Sequence, residues 1–122
     1  MFRHAQYDAA DNILWVDMSN HTLDKAFLQE FVTEFKKLIA PLPKKPYLAV
    51  FMENTILPAE LKVDYGKASA EVAGMVKAVV RYGKIDFLTK LGLQTENINS
   101  GRQSNVFATK EQALTAIRAG EV

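Results

Sequence analysis

The chain contains no cysteine, which removes disulfides, thiolate metal ligands and cysteine nucleophiles together and leaves packing to hold the fold. Long apolar runs are missing too. The cleanest, Tyr47 to Met52, is far short of the roughly 20 residues a helix needs to cross a bilayer, so no transmembrane segment is predicted. The N-terminal Met1-Phe2-Arg3-His4-Ala5-Gln6-Tyr7-Asp8 lacks the apolar h-region of a secretory signal. These absences predict a soluble, cytoplasmic protein. No sign of charge dominates either: 15 lysines and arginines stand against 14 acidic residues. The broad basic footprint expected of a nucleic-acid or anionic-membrane binder is therefore absent, and no nucleic-acid partner is predicted. The charges are nonetheless uneven, because residues 76 to 110 hold six basic groups (Lys77, Arg81, Lys84, Lys90, Arg102, Lys110) and only Asp86 and Glu96 as acids. That asymmetry reads as an anion-facing patch or as a mixed, solvated surface.

What is present is a hydrophobic pattern sufficient for one core. With 122 residues, 48% of them hydrophobic, and no internal repeat, low-complexity tract or linker, the chain is expected to form a single domain over 1–122. Residues 2 to 7 and 12 to 18 are rich in aromatic and β-branched types and flank a turn-like Asp8-Ala9-Ala10-Asp11, which predicts two antiparallel strands. Thr22 can cap a helix whose stripe runs Leu23, Phe27, Phe31, Phe35, Leu38, and Pro41 and Pro43 stop it. Tyr47 to Met52 is apolar on both faces, as a central strand covered on two sides should be. Pro58 suits the first position of a second helix carrying Leu61, Tyr65, Ala68 and Val72.

Residues 74 to 83 could extend that helix, but bracketing glycines and three valines in five residues favour a strand from about Val76 to Tyr82. Ile85, Leu88 and Leu91 support a third helix. A short strand over Gln103 to Phe107 then leads into a helix opened by the capping-box pattern Thr109-Lys110-Glu111-Gln112, buried through Ala113, Leu114 and Ile117, and ended by Gly120. The order ββαβαβαβα predicts an α/β fold with a mostly parallel five-stranded sheet and an antiparallel N-terminal strand.

That order, together with the valine-rich stretch from Val76 to Gly83 and the closing Gly101-Arg102 to Phe107 followed by Thr109-Lys110-Glu111-Gln112-Ala113-Leu114, resembles the STAS-like (SpoIIAA-like) family of anti-sigma-factor-antagonist type. A more remote likeness is to Sec14-type lipid-binding domains. The resemblance spans nearly the whole chain in element order, and its specific wording is confined to about residues 75 to 118. It implies a regulatory or interaction module rather than an enzyme. Antagonists of this type dock on a partner kinase and are switched by phosphorylation of a serine in an Asp-Ser pair near a helix start. No Asp-Ser pair occurs here. Thr55 is the nearest hydroxyl after the third strand, and the switch is not carried over to it. Ala116-Ile117 also replaces the Trp-Leu pair with which relatives often end this helix.

Ligands of parallel α/β sheets bind beyond the carboxyl ends of the strands, which selects a ligand or docking rim of Asp17, Ser19, Glu53, Asn54, Thr55, Arg81, Tyr82 and Lys84. Arg81 and Lys84 favour a carboxylate or phosphate there. The competing reading is that all eight are helix caps and rim salt bridges. Asp17 and Glu53 could be pictured as a general acid and base, which requires opposed pKa shifts and a set separation that a sequence does not supply. His4 and His21 have no metal-ligand spacing. Trp15 with Phe27, Phe31 and Phe35 could line a lipid pocket, although core packing explains them more simply, since a chain of this size can hardly spare volume for an acyl cavity. The Lys36-Lys37 and Lys44-Lys45 pairs suit a solvated loop, and Arg102 and Ser104 stand at the amino end of a strand, away from the binding rim. No catalytic signature, cofactor or metal is predicted. The leading expectation is a module binding a protein partner or itself as a homodimer, and the alternative is a carrier or sensor for a small anionic or lipid ligand.

Overall fold

The computed structural model of the chain describes residues 4–85 and 105–122. Strands β1 (His4–Asp8) and β2 (Ile13–Asp17) are followed by helix α1 (Lys25–Ile39) and strand β3 (Tyr47–Phe51). A 3₁₀ turn (Ala59–Leu61) then leads into α2 (Lys62–Ala73), and β4 (Ala78–Tyr82), β5 (Val106–Phe107) and α3 (Lys110–Arg118) complete the described elements. The five strands form one sheet in the order β1-β2-β3-β4-β5. β1 is antiparallel to β2 and every later pairing is parallel, so the expected α/β fold with an antiparallel N-terminal strand is the one observed. Residues 86–104, which carry most of the expected third helix as well as Arg102, Gln103 and Ser104, lie outside the described residues.

Several boundaries differ from the sequence reading for identifiable reasons. Asp24, not Thr22, caps α1, its carboxylate accepting the Phe27 N–H at 2.7 Å. Thr22 is instead drawn into a parallel bridge with Ile56, a long-range pairing that local capping signals cannot report. β4 starts at Ala78 rather than Val76, because Val76 turns into the core while the Lys77 N–H donates to the Pro46 carbonyl. Pro58 precedes a 3₁₀ turn, and the α-helix begins only at Lys62. Leu61, Tyr65, Ala68 and Val72 are all buried, as their spacing predicted.

The sheet is covered on both faces, and the period-two alternation of its strands assigns each side chain to one of them. Leu14, Val16, Leu48 and Val50 face α1 and α2 in a core with Phe31, Phe35, Tyr65 and Val72. Both crossover helices lie on this side, as expected when successive right-handed crossovers advance in one direction across a sheet. Ile13, Ala49 and Val80 face the other way, against Ala113 and Ile117 of α3. This explains why β3 is apolar at every position. The last helix is also tied down at its end, where Arg118 donates two hydrogen bonds to Asp11 in the β1–β2 turn, at 3.1 and 2.9 Å.

Candidate functional site: an aromatic recess at the strand ends

The last register row of the sheet runs His4, Asp17, Phe51, Tyr82, Phe107 across all five strands. Side chains of one row share a face, and the core assignment of Tyr82 and Phe107 puts that face on the α3 side. The row below it holds Gln6, Trp15, Ala49 and Val80. α3 has only nine residues and packs over Ile13, Ala49 and Val80, which leaves the strand-end aromatics half-buried instead of sealed.

The result is an open recess floored by aromatic rings. Tyr82 stacks on Phe51 with ring centroids 5.2 Å apart, and Trp15 meets Tyr82 edge-on at 5.9 Å. One lobe of about 320 Å³ is bordered by Phe51, Glu53, Tyr82, Gly83, Thr109 and Lys110. A second lobe of about 200 Å³ shares Phe51, Tyr82 and Lys110 with it and reaches Trp15, Asp17 and Gln6. Lys110 places its ammonium 4.5 Å from the centre of the Trp15 ring, a cation–π contact. Burial, and after it the negative charges of Asp17 and Glu111, push the Tyr82 hydroxyl above its usual pKa of 10.0.

Gly83 makes this floor possible. Its φ of +113° is in the region side chains disfavour, and an added Cβ would sit 2.9 Å from Phe51 Cε1 and 3.1 Å from the Glu53 nitrogen. The Phe51 ring lies against bare backbone there. Beyond the strands the three rim loops remain zipped together: Met18 N–H donates to Phe51 O, Asn20 N–H to Glu53 O, Met52 N–H to Tyr82 O and Asn54 N–H to Lys84 O. Asn20 and Asn54 both adopt left-handed backbone, and the Asn54 amide donates to the Asn20 side chain at 3.0 Å.

No family model, curated protein or solved structure matches this chain. Its geometry is therefore the guide to what the site can do.

The eight residues of the expected rim separate into three groups. Asp17 and Tyr82 join the recess, and Glu53 borders it while accepting the Lys84 N–H at 3.4 Å. Ser19, Asn54 and Lys84 build the rim loops, Ser19 donating its N–H to Asp17 at 2.8 Å and Lys84 lying exposed. Thr55 and Arg81 point inward. The Thr55 side chain is fully buried and its hydroxyl donates to the Met18 carbonyl at 2.7 Å, which removes it from the reach of a kinase. Arg81, 4% exposed, sits beneath α2 and donates to the Tyr65 hydroxyl at 3.2 Å and the Ser69 hydroxyl at 3.1 Å. It cannot act together with Tyr82, because neighbours in a strand face opposite sides of the sheet.

The space beside Arg81, lined by Met18, Phe31, Phe35, Leu48 and Tyr65 among others, measures about 10 Å³. That is room for about one water molecule. Phe31 and Phe35 are thus core residues around a space that no acyl chain can enter, and Trp15 belongs to the opposite face. His21 is packed against Phe27 with centroids 4.8 Å apart, and its buried Nε2 has no hydrogen-bond partner among the described residues. No group of three metal-ligating side chains occurs among the described residues.

Sequence reading missed Phe51, Gly83 and Lys110 as site residues. Period two in β2, β3 and β4 would have put Trp15, Phe51 and Tyr82 on one face, but only the register shows that they meet.

Proposed function

We propose that this chain is a STAS-like regulatory domain that acts by binding rather than by catalysis, and that it senses a small ligand in the recess over Trp15, Phe51 and Tyr82. The observation that carries this reading is the position and size of the recess. It opens at the carboxyl ends of parallel strands, where ligands of such sheets bind, and its larger lobe of about 320 Å³ reaches the lower range of small-molecule sites. Half-buried aromatic rings surrounded by a few polar groups are the usual lining of such sites. A lipid whose acyl chain would occupy the space under α1 and α2 does not fit, given the volume there.

Native mass spectrometry of the untagged protein, purified gently from its source cells, tests the reading. A reproducible small-molecule adduct that is lost from the Tyr82→Ala protein supports it. Retention of that adduct by the variant would move the site elsewhere, and its absence from wild-type protein would leave the reading without support.

A second reading, a homodimeric interaction module, is favoured by one feature: β1 is an edge strand of the sheet. Edge strands present one side of their backbone for pairing with another chain. A twofold mass in the same spectrum, lost when Ala5 is replaced by proline, would support it.

A further inference from the structure

We infer that the recess takes a small organic cation, an amine or quaternary ammonium on an apolar body, in the position that the Lys110 ammonium occupies in the free protein. The inference rests on the recess being the binding site and adds the chemical class of what it binds.

Three observations converge. First, a cation already lies on the aromatic floor, since Lys110 Nζ is 4.5 Å from the Trp15 ring centre. The electron-rich face of an indole attracts an ammonium, and it does so for a ligand as it does for a side chain. Second, among the described residues the fixed charges around the rings are mostly negative. Asp17 and Glu53 line the two lobes, and after burial it is the charges of Asp17 and Glu111 that raise the pKa of the Tyr82 hydroxyl between them. An anionic ligand would meet the same opposition.

Third, the feature that would otherwise attract an anion is already partly satisfied. The first turn of α3 borders the recess, and free N–H groups at a helix start bind anions. Here the Gln112 N–H is capped by the Thr109 hydroxyl at 3.2 Å, and the Ala108 N–H donates to the Gln112 side chain at 3.1 Å. Glu111 adds a negative charge to the same turn. An incoming anion would meet that charge, whereas an incoming ammonium has only to displace the exposed Lys110 side chain.

The single tryptophan of the chain is in the recess, so its fluorescence reports binding directly. The experiment titrates the full-length protein with phenyltrimethylammonium, with benzenesulfonate as the anion of similar shape and benzyl alcohol as the neutral aromatic. The expected result is a saturable change of Trp15 emission at the lowest concentration with phenyltrimethylammonium. Lys110→Met should tighten that binding about two- to fivefold by removing the competing cation. Stronger binding of benzenesulfonate, or weaker ammonium binding by the Lys110→Met protein, overturns the cation assignment and leaves the recess standing as a site. Failure of all three probes to saturate overturns the recess itself.

Discussion

The two faces of the sheet are built from the same alternating strands and finished differently. Toward α1 and α2 the packing is close: Phe35 is 0% exposed, Phe31 packs edge-on against it at 4.9 Å, and the space beside Arg81 measures about 10 Å³. Toward α3 a nine-residue helix covers the lower rows and stops, so aromatic rings of comparable size line a recess whose larger lobe is about 320 Å³. Both faces are hydrophobic. Among the described residues what differs is the cover, two helices of 15 and 12 residues on one face and one of nine on the other, and this separates side chains that contribute mainly to stability from side chains left accessible.

Mutations can test that separation, beginning with the largest expected effect. Phe35→Ala should destabilise the protein by about 3–5 kcal/mol in urea denaturation, the usual cost of a large-to-small change in a close-packed core. Phe51→Ala on the open face should cost less than half as much, and an equal loss from both would break the comparison. Gly83→Ala should cost about 1–3 kcal/mol, since it combines a left-handed backbone with a Cβ 2.9 Å from the Phe51 ring. Combining it with Phe51→Ala should recover part of that loss, because the two changes share a contact and are not additive. Additive losses would mean that Phe51 does not rest on Gly83.

Thr55→Val keeps the shape of a fully buried side chain and leaves the Met18 carbonyl without its donor, with an expected loss of about 1–2 kcal/mol by thermal or chemical denaturation. The smallest effect belongs to the exposed pair that ties α3 to the β1–β2 turn. Its hydrogen bond to Arg118 holds the Asp11 carboxyl below its usual pKa of 3.8. A carboxyl lowered in the folded state stabilises the protein above its unfolded value, and that contribution is lost as pH falls through the folded value. Asp11→Asn should therefore lower Tm slightly at neutral pH, less so in high salt, and the difference from wild type should vanish in acid below the carboxyl's folded value. A difference that persists there would point to lost packing instead of lost charge.

Much of the fold was legible because its signals are local. Three valines between two glycines marked β4 against a helical alternative, and the uninterrupted apolar run of β3 announced a strand covered on both sides. Legibility ended where a residue's role depends on a distant partner. Thr22 and Asp24 are both competent caps, and the pairing of Thr22 with Ile56 decides between them. Arg81 and Tyr82 looked like companions on one rim, although strand geometry sends them to opposite faces, one beneath α2 and the other into the recess. The recess draws its rings from three strands and its lysine from the last helix, so no contiguous stretch of sequence contains it.

The covering helix also follows every strand of the sheet in chain order, and this has a consequence for synthesis. Translation delivers β2, β3 and β4 before any residue of α3 exists, so Ile13, Ala49 and Val80 have no cover from Ala113 and Ile117 when those strands are made. The closed face can begin to consolidate from elements made early, whereas the other lacks this helix's cover until α3 emerges. Truncating the final helix would therefore preserve that vulnerable intermediate as a permanent product, one whose unguarded strip of sheet invites aggregation.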